Sequence, residues 1–325
     1  MSEPLAQPVE SPSPPAFGET LGRLLLALGL IAFAFCFWLA YVEEAGEWSS
    51  HLLRVVPRLS IFVLSALVAL ILIGARERTG VLFGLGATLV CGATLLLGFD
   101  FVVPMPRGFA PGESSVLLHW LGYADELRVL AEPLLLFLVL LGQVLGAVLL
   151  GLVLGRQIDT GDALVALILT ASAGDMWLNT FRVPDAPGMP ALQVLRICWP
   201  PAAGEVSAGP LLSDLVVLAA ALECAGRLRL HGLALAGGAV SGFLAASFLA
   251  LEPWPGLGGM SLLVWGCGML IACWPDLQAT PRGLRRALLL GGLLLSLLLG
   301  MALLQRSVSP RLERPTHPLR YHGAA

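Results

Sequence analysis

The chain has 325 residues, of which 57% are apolar and only 13% are charged, and its mean hydropathy is +0.84. Soluble domains are usually about 45–50% apolar and about 25% charged, so this composition excludes an ordinary soluble globule and a disordered chain. The formal net charge is −3 and every basic residue is arginine, which gives no sign of a nucleic-acid partner. Six cysteines are too sparse for a disulfide scaffold. The sequence therefore predicts a polytopic membrane protein.

Apolar runs of spanning length recur along the whole chain, because a transmembrane helix needs about 20 predominantly apolar residues. In chain order the runs are 21–42, 59–75, 80–103, 131–155, 161–182, 210–227, 230–251, 257–274 and 284–305. They predict an all-α membrane bundle of about nine transmembrane helices, with eight and ten as alternatives. Strands are not expected, since the runs show no alternation. The expected organisation is a flexible cytoplasmic tail at 1–20, a transmembrane domain at 21–305 and a flexible tail at 306–325.

The arginines predict the orientation of the bundle. With the N-terminus in the cytoplasm, the short inner loops hold Arg76, Arg78, Arg156, Arg227, Arg229, Arg282, Arg285 and Arg286. An excess of arginine in short loops marks the cytoplasmic side, so we expect a protein of the inner (plasma) membrane. The arginines do not form a contiguous run, and no polybasic lipid-binding patch is expected. Nine spans place the arginine-bearing C-terminal tail outside, so the side of the C-terminus stays open.

The fifth run carries the most informative polar pattern. Thr160 can cap its start, Asp162 suits the first turn, and Pro184 ends the helix. Between them a stripe at helical spacing consists of Ser172, Asp175, Asn179 and Arg182. Polar groups inside a bilayer are costly, so the stripe is a functional hypothesis.

Three interpretations of this stripe stay open. It lines an outward-opening cavity, or it forms a structural network in which Asp175 pairs with Arg182 through Asn179. In the third, the helix ends at Gly174 and the stripe is loop.

The sixth run adds a second carboxylate. Pro210 suits its first helical position and Asp214 lies about one turn in, so Asp175 and Asp214 could face each other across the outer loop. Two close carboxylates do not both ionise easily, which suits proton coupling or acid–base chemistry. The alternative is an ordinary solvated Asp214. Glu223 falls on the opposite helix face, and Arg227 four residues later predicts a structural ion pair.

Three further features concern packing and the outer loop. Gln143 is central in the fourth run, where a lone glutamine usually bonds to another helix. Glycines four apart predict close helix contacts, at Gly80/Gly84, Gly142/Gly146, Gly151/Gly155 and Gly238/Gly242. The sub-run ALQVLRICW, in the outer loop at 183–209, is either a segment that dips back as a lid or a surface helix.

The residues support two functional classes and a third, purely structural alternative. The first is a carrier or permease for a small or amphipathic solute, with an outward-facing polar cavity lined by Ser172, Asp175, Asn179, Arg182 and Asp214. The second is a membrane-embedded enzyme acting on a lipid or peptide at the outer leaflet, with the two aspartates as acid and base. The third is a non-catalytic subunit or scaffold. No histidine pair, HExxH or Walker motif occurs, so no metal or cofactor is expected. The expected partners are the lipid bilayer, a small-molecule or lipid ligand and membrane subunits, and not nucleic acid.

Overall fold

The computed structural model describes residues 17–44, 50–73, 78–102, 125–180, 196–198, 208–225, 227–249, 261–277 and 280–308. Within these ranges the chain forms nine α-helices, one short 3-10 turn and one pair of short strands. In chain order the elements are α1 (Phe17–Glu44), α2 (Ser50–Leu72), α3 (Thr79–Val102), α4 (Asp125–Gly155), α5 (Gly161–Thr180), β1 (Arg196–Cys198), β2 (Ala208–Leu211), α6 (Leu212–Ala225), α7 (Gly232–Leu249), α8 (Ser261–Cys273) and α9 (Pro281–Val308). Each predicted run falls on one of these helices, so the prediction of a helical chain is confirmed there.

The prediction that the chain has no strands is wrong at one place, between α5 and α6. β1 pairs with β2 in antiparallel fashion, with Arg196 opposite Leu211 and Cys198 opposite Ala208. Strands of three and four residues are too short to show an alternating pattern, and proline is tolerated in such an edge strand. Pro210 therefore lies in β2 and not in the first helical turn, and α6 begins only at Leu212.

The hairpin also corrects the interpretation of the sub-run ALQVLRICW. Its Arg196–Cys198 segment is a strand and not a surface helix, while the rest of the sub-run lies outside the described residues. β1 packs against α4, and β2 packs against α2 and α6. The loop therefore returns to the bundle at this point.

The start of α5 follows the sequence signals. The backbone N–H of Ala163 donates to the side-chain oxygen of Thr160 at 3.3 Å, which is the predicted N-cap, and Asp162 lies in the first turn. The helix continues to Thr180, so the interpretation in which it ends at Gly174 is wrong. Ser172, Asp175 and Asn179 thus all lie on α5.

Successive helices run antiparallel where their contacts define the direction, as between α3 and α4 and between α7 and α8. Short connections at 73–78, 156–160, 226–231 and 274–280 join α2 to α3, α4 to α5, α6 to α7 and α8 to α9. Hydrogen bonds bring these ends together: Arg23 in α1 donates to the Ile73 carbonyl at 2.6 Å, and the Thr280 hydroxyl donates to Asp162 at 2.7 Å. We call this side the basic end, since its described arginines are Arg23, Arg78, Arg156, Arg227, Arg229, Arg282, Arg285 and Arg286.

Apolar side chains lie both inside the bundle and on its surface. The core helix is α6, in which eleven of 14 residues are buried. Large apolar side chains on α1, α3 and α9 are exposed, among them Phe33, Leu95 and Leu290. Three helices among the described residues are long and apolar enough to cross a membrane, over Thr20–Phe37, Thr79–Leu96 and Phe137–Gly155.

Glycines set the closest helix contacts. A Cβ added at Gly151 would lie 2.5 Å from the Cβ of Ala219 on α6, and one at Gly238 would lie 2.6 Å from the carbonyl of Gly268 on α8. The prediction of close packing is confirmed for the pairs at 142/146, 151/155 and 238/242. It is wrong for the pair at 80/84, where an added Cβ meets nothing within 4 Å.

Candidate functional site

The polar stripe of α5 is only partly described. Ser172 and Asp175 are buried, whereas Asn179 is helical with a side chain outside the described set. Arg182 lies outside the described residues. The Ser172 hydroxyl donates to the carbonyl of Ile168 in its own helix at 2.6 Å. Ser172 is therefore satisfied within α5 and needs no ligand to satisfy its donor.

Asp175 links α5 to the start of α8. Its side chain is only 3% exposed, and Oδ2 accepts the backbone N–H of Leu262 at 3.2 Å. Leu262 is the second residue of α8, and first-turn N–H groups have no partner within their own helix. A carboxylate at this position satisfies the donor and complements the partial positive charge of the helix N-terminus. Asp175 is thus a cap supplied by a different helix.

Asp214 lies at the start of α6, directly after the hairpin. It is the third residue of that helix, and its side chain is 2% exposed. The interpretation of Asp214 as an ordinary solvated residue is therefore wrong. The carboxylate again lies in a first turn, where a negative charge is favoured. That Asp175 and Asp214 face each other stays a prediction.

Gln143 lies at the same level of the bundle as the start of α6. Gly151 of α4 lies beside Ala219 of α6, and Gly155 lies beside Glu223. α4 and α6 therefore run parallel, and the sequence separation of the facing residues is the same at both contacts. The same offset brings Gln143 level with Leu211, three residues before Asp214. Gln143 is fully buried, and a lone glutamine in an apolar run was the only sequence signal for this position.

The described residues at the basic end include two ion pairs, and neither is the predicted one. Arg156 Nε lies 3.3 Å from Glu223 Oε1, and Arg227 lies 2.5 Å from Asp159. The predicted pair between Glu223 and Arg227 is wrong because α6 ends at Ala225, so Arg227 is not on its helical face. Side chains of the first pair are 19% and 11% exposed, whereas those of the second are 42% and 76% exposed. The first pair is the one that joins helices in the interior.

An aromatic cluster joins α2, α7 and α8. Phe62 of α2 stacks on Phe243 of α7 with centroids 4.2 Å apart, and Trp265 of α8 meets Phe62 edge-on at 5.3 Å. Trp265 is fully buried, and its indole N–H finds no acceptor among the described residues. α8 is therefore held by Asp175 at its first turn and by aromatic packing one turn later.

The described part of the chain contains no group of three His, Cys, Asp or Glu residues that could hold a metal ion. Its notable chemistry is that of buried carboxylates at helix starts. Comparison with family models, with curated proteins and with solved structures finds no match to this chain.

Proposed function

We propose that the chain is a multi-pass protein of the inner (plasma) membrane in which the nine described helices form a bundle embedded in the bilayer and the basic end is cytoplasmic. Exposed apolar side chains on the outer helices support insertion, because monomeric soluble proteins rarely expose large apolar patches. The antiparallel successive helices and the larger number of described arginines at the basic end support the orientation. The N-terminus is then cytoplasmic.

The function that we propose for this membrane bundle is that of a carrier for a small or amphipathic solute. The observation that carries this proposal is the hydrogen bond from the Leu262 N–H to the Asp175 carboxylate. An ionised Asp175 complements the start of α8, and a protonated Asp175 loses that charge. Protonation of one side chain can therefore weaken the attachment of α8 to α5, which is the coupling that a proton-linked carrier needs.

Asp214 supports the same proposal by its depth. Nine residues separate it from Glu223, which pairs with Arg156 at the basic end. At about 1.5 Å per residue, Asp214 lies about 14 Å from that pair, close to the middle of a hydrocarbon core about 30 Å thick. Intramembrane carboxylates are costly and mark ion or substrate pathways. The proposed cavity therefore extends from Asp214 to Ser172 and Asp175 on α5.

Solute-jump currents on a solid-supported membrane test the carrier. Proteoliposomes with the full chain receive pools of carboxylates, amino acids, amines and sugars in turn. We expect a current with one pool, and its loss in Asp175→Asn and in Asp214→Asn. Thr170→Val is the matched control, since Thr170 is exposed on the same helix and its hydroxyl bonds within that helix. Undiminished currents in both aspartate variants would refute the role of these carboxylates.

A non-catalytic subunit is the second candidate, and one observation favours it. Three buried serine hydroxyls each donate a hydrogen bond to a carbonyl of their own helix: those of Ser65, Ser172 and Ser247. These donors are therefore satisfied without a ligand. A subunit would give no solute-dependent current and would retain a protein partner in native mass spectrometry. The membrane-embedded enzyme stays a hypothesis that no described contact favours over the carrier.

A further inference from the structure

Three arginines open α9 without a salt-bridge partner among the described residues. Arg282, Arg285 and Arg286 lie at the helix start, and all three are exposed. Positive side chains are unfavourable there because the N-terminus of a helix carries a partial positive charge. Within the described residues none of the three takes part in a salt bridge. Asp162, the acid beside this turn, accepts the Thr280 hydroxyl instead.

The same face of α9 continues as an exposed leucine stripe. At about 100° per residue, the three arginines fall on one side of the helix with Leu289, Leu290, Leu293 and Leu297. These leucines are exposed. Gly291 lies on the opposite side, where an added Cβ would lie 2.7 Å from Leu169 of α5. α9 thus packs on α5 and presents the arginine–leucine face outward.

We propose that this face binds an anionic phospholipid of the cytoplasmic leaflet, with its phosphate on the arginines and an acyl chain along the leucines. The inference rests on the proposed membrane insertion. Eleven residues separate Arg286 from Leu297, which is about 17 Å of helix, close to the thickness of one leaflet of a core about 30 Å thick. Charge complementarity selects an anionic headgroup, and the adjoining apolar stripe selects a lipid over a free phosphate.

This proposal differs from the expectation, drawn from runs in the sequence, that the chain has no polybasic lipid-binding patch. Arg285 and Arg286 lie three and four positions after Arg282, which brings the three side chains onto one helix face. A search for basic runs in the sequence misses such a patch.

The test measures the ratio of bound phosphatidylglycerol to bound phosphatidylcholine. The full chain is placed in nanodiscs that contain equal amounts of the two lipids, then released and weighed by native mass spectrometry. Each arginine near a lipid surface contributes about a fivefold preference for anionic lipid. We therefore expect the ratio to fall about thirtyfold in R285Q/R286Q. The matched control R78Q/R229Q removes two exposed arginines from the same end, and a smaller fall in the ratio than in R285Q/R286Q separates the α9 face from the overall charge of that end.

The possible outcomes separate the alternatives. Equal loss in both double variants, or no phosphatidylglycerol preference in the wild type, overturns the proposal. Displacement of the lipid by excess inorganic phosphate assigns the site to a free anion and also overturns it. A wild-type dimer that R285Q/R286Q dissociates, with no lipid retained, assigns the face to a second copy. Extraction of the wild type by alkaline carbonate would refute membrane insertion itself, a result independent of the lipid ratio.

Discussion

The cap that Asp175 supplies to α8 leads to a graded prediction for two substitutions. A hydrogen bond to a charged group contributes about 1.5–3 kcal/mol, and removal of the acceptor leaves the Leu262 N–H buried without it. Asp175→Ala should therefore lower the free energy of unfolding by about 2–4 kcal/mol. Asp175→Asn keeps an oxygen acceptor but loses the charge, so we expect a loss of only about 1 kcal/mol. Ser172→Ala is the control, with an expected loss below about 0.5 kcal/mol, since its hydroxyl adds a second bond to a carbonyl of its own helix.

Reversible unfolding of the purified chain in mixed micelles with increasing dodecyl sulfate measures this series. Hydrogen exchange adds the location, because loss of the cap should expose the first-turn amides of α8 before those of α6. The reasoning fails if Asp175→Ala is as stable as Ser172→Ala. It also fails if the alanine and asparagine variants are equally destabilised, since the charge and the acceptor would then not be separable.

Three further predictions concern packing, ion pairs and orientation. Gly151→Ala should lower the stability by at least about 2 kcal/mol, because the added methyl group overpacks against α6. Gly84→Ala should be neutral or stabilise by up to about 1 kcal/mol through helix propensity, because its added methyl group contacts nothing. Thermal unfolding of the two variants compares them directly. Glu223→Gln should cost about 1–2 kcal/mol because its partner arginine stays mostly buried, and Asp159→Asn less than about 0.5 kcal/mol because that pair is exposed; equal losses in denaturant titrations would contradict the distinction. A cysteine in place of Arg229 should react with an impermeant maleimide only after the cell membrane is opened, and labelling of intact cells would reverse the proposed orientation.

The helices were predictable from the sequence because each apolar run is long and uninterrupted. The start of α5 was predictable for a local reason, since the cap residue and the amide it accepts are three positions apart. The start of α6 was not, because Pro210 suits a helix start and a strand edge equally well. The pairing of β2 with β1 decides between these two states, and that pairing is a contact between distant segments.

The site shows the same division between local and distant information. Burial of Asp175 follows from its position in an apolar run, but its donor lies 87 residues away on α8. Glu223 has Arg227 at the favourable spacing and still pairs with Arg156, because α6 ends before the spacing applies. Glycine spacing likewise identifies residues that can pack closely, and only the three-dimensional neighbours decide which of them do so.

The contacts of α8 indicate which parts would move in a carrier. α7 and α8 meet through glycines with backbone in contact, at Gly238 with Gly268 and at Gly242 with Trp265, so the two helices form one rigid unit. The attachment of this unit to α5 includes the Asp175 hydrogen bond, and the loss of about 1 kcal/mol expected for Asp175→Asn shifts a two-state equilibrium about fivefold. Asp175→Asn should therefore raise hydrogen exchange at the α5–α8 contact while the amides between α7 and α8 stay protected. Equal loosening of both contacts would show that α8 unfolds locally instead of moving with α7, and would remove the structural basis for coupling through this pair.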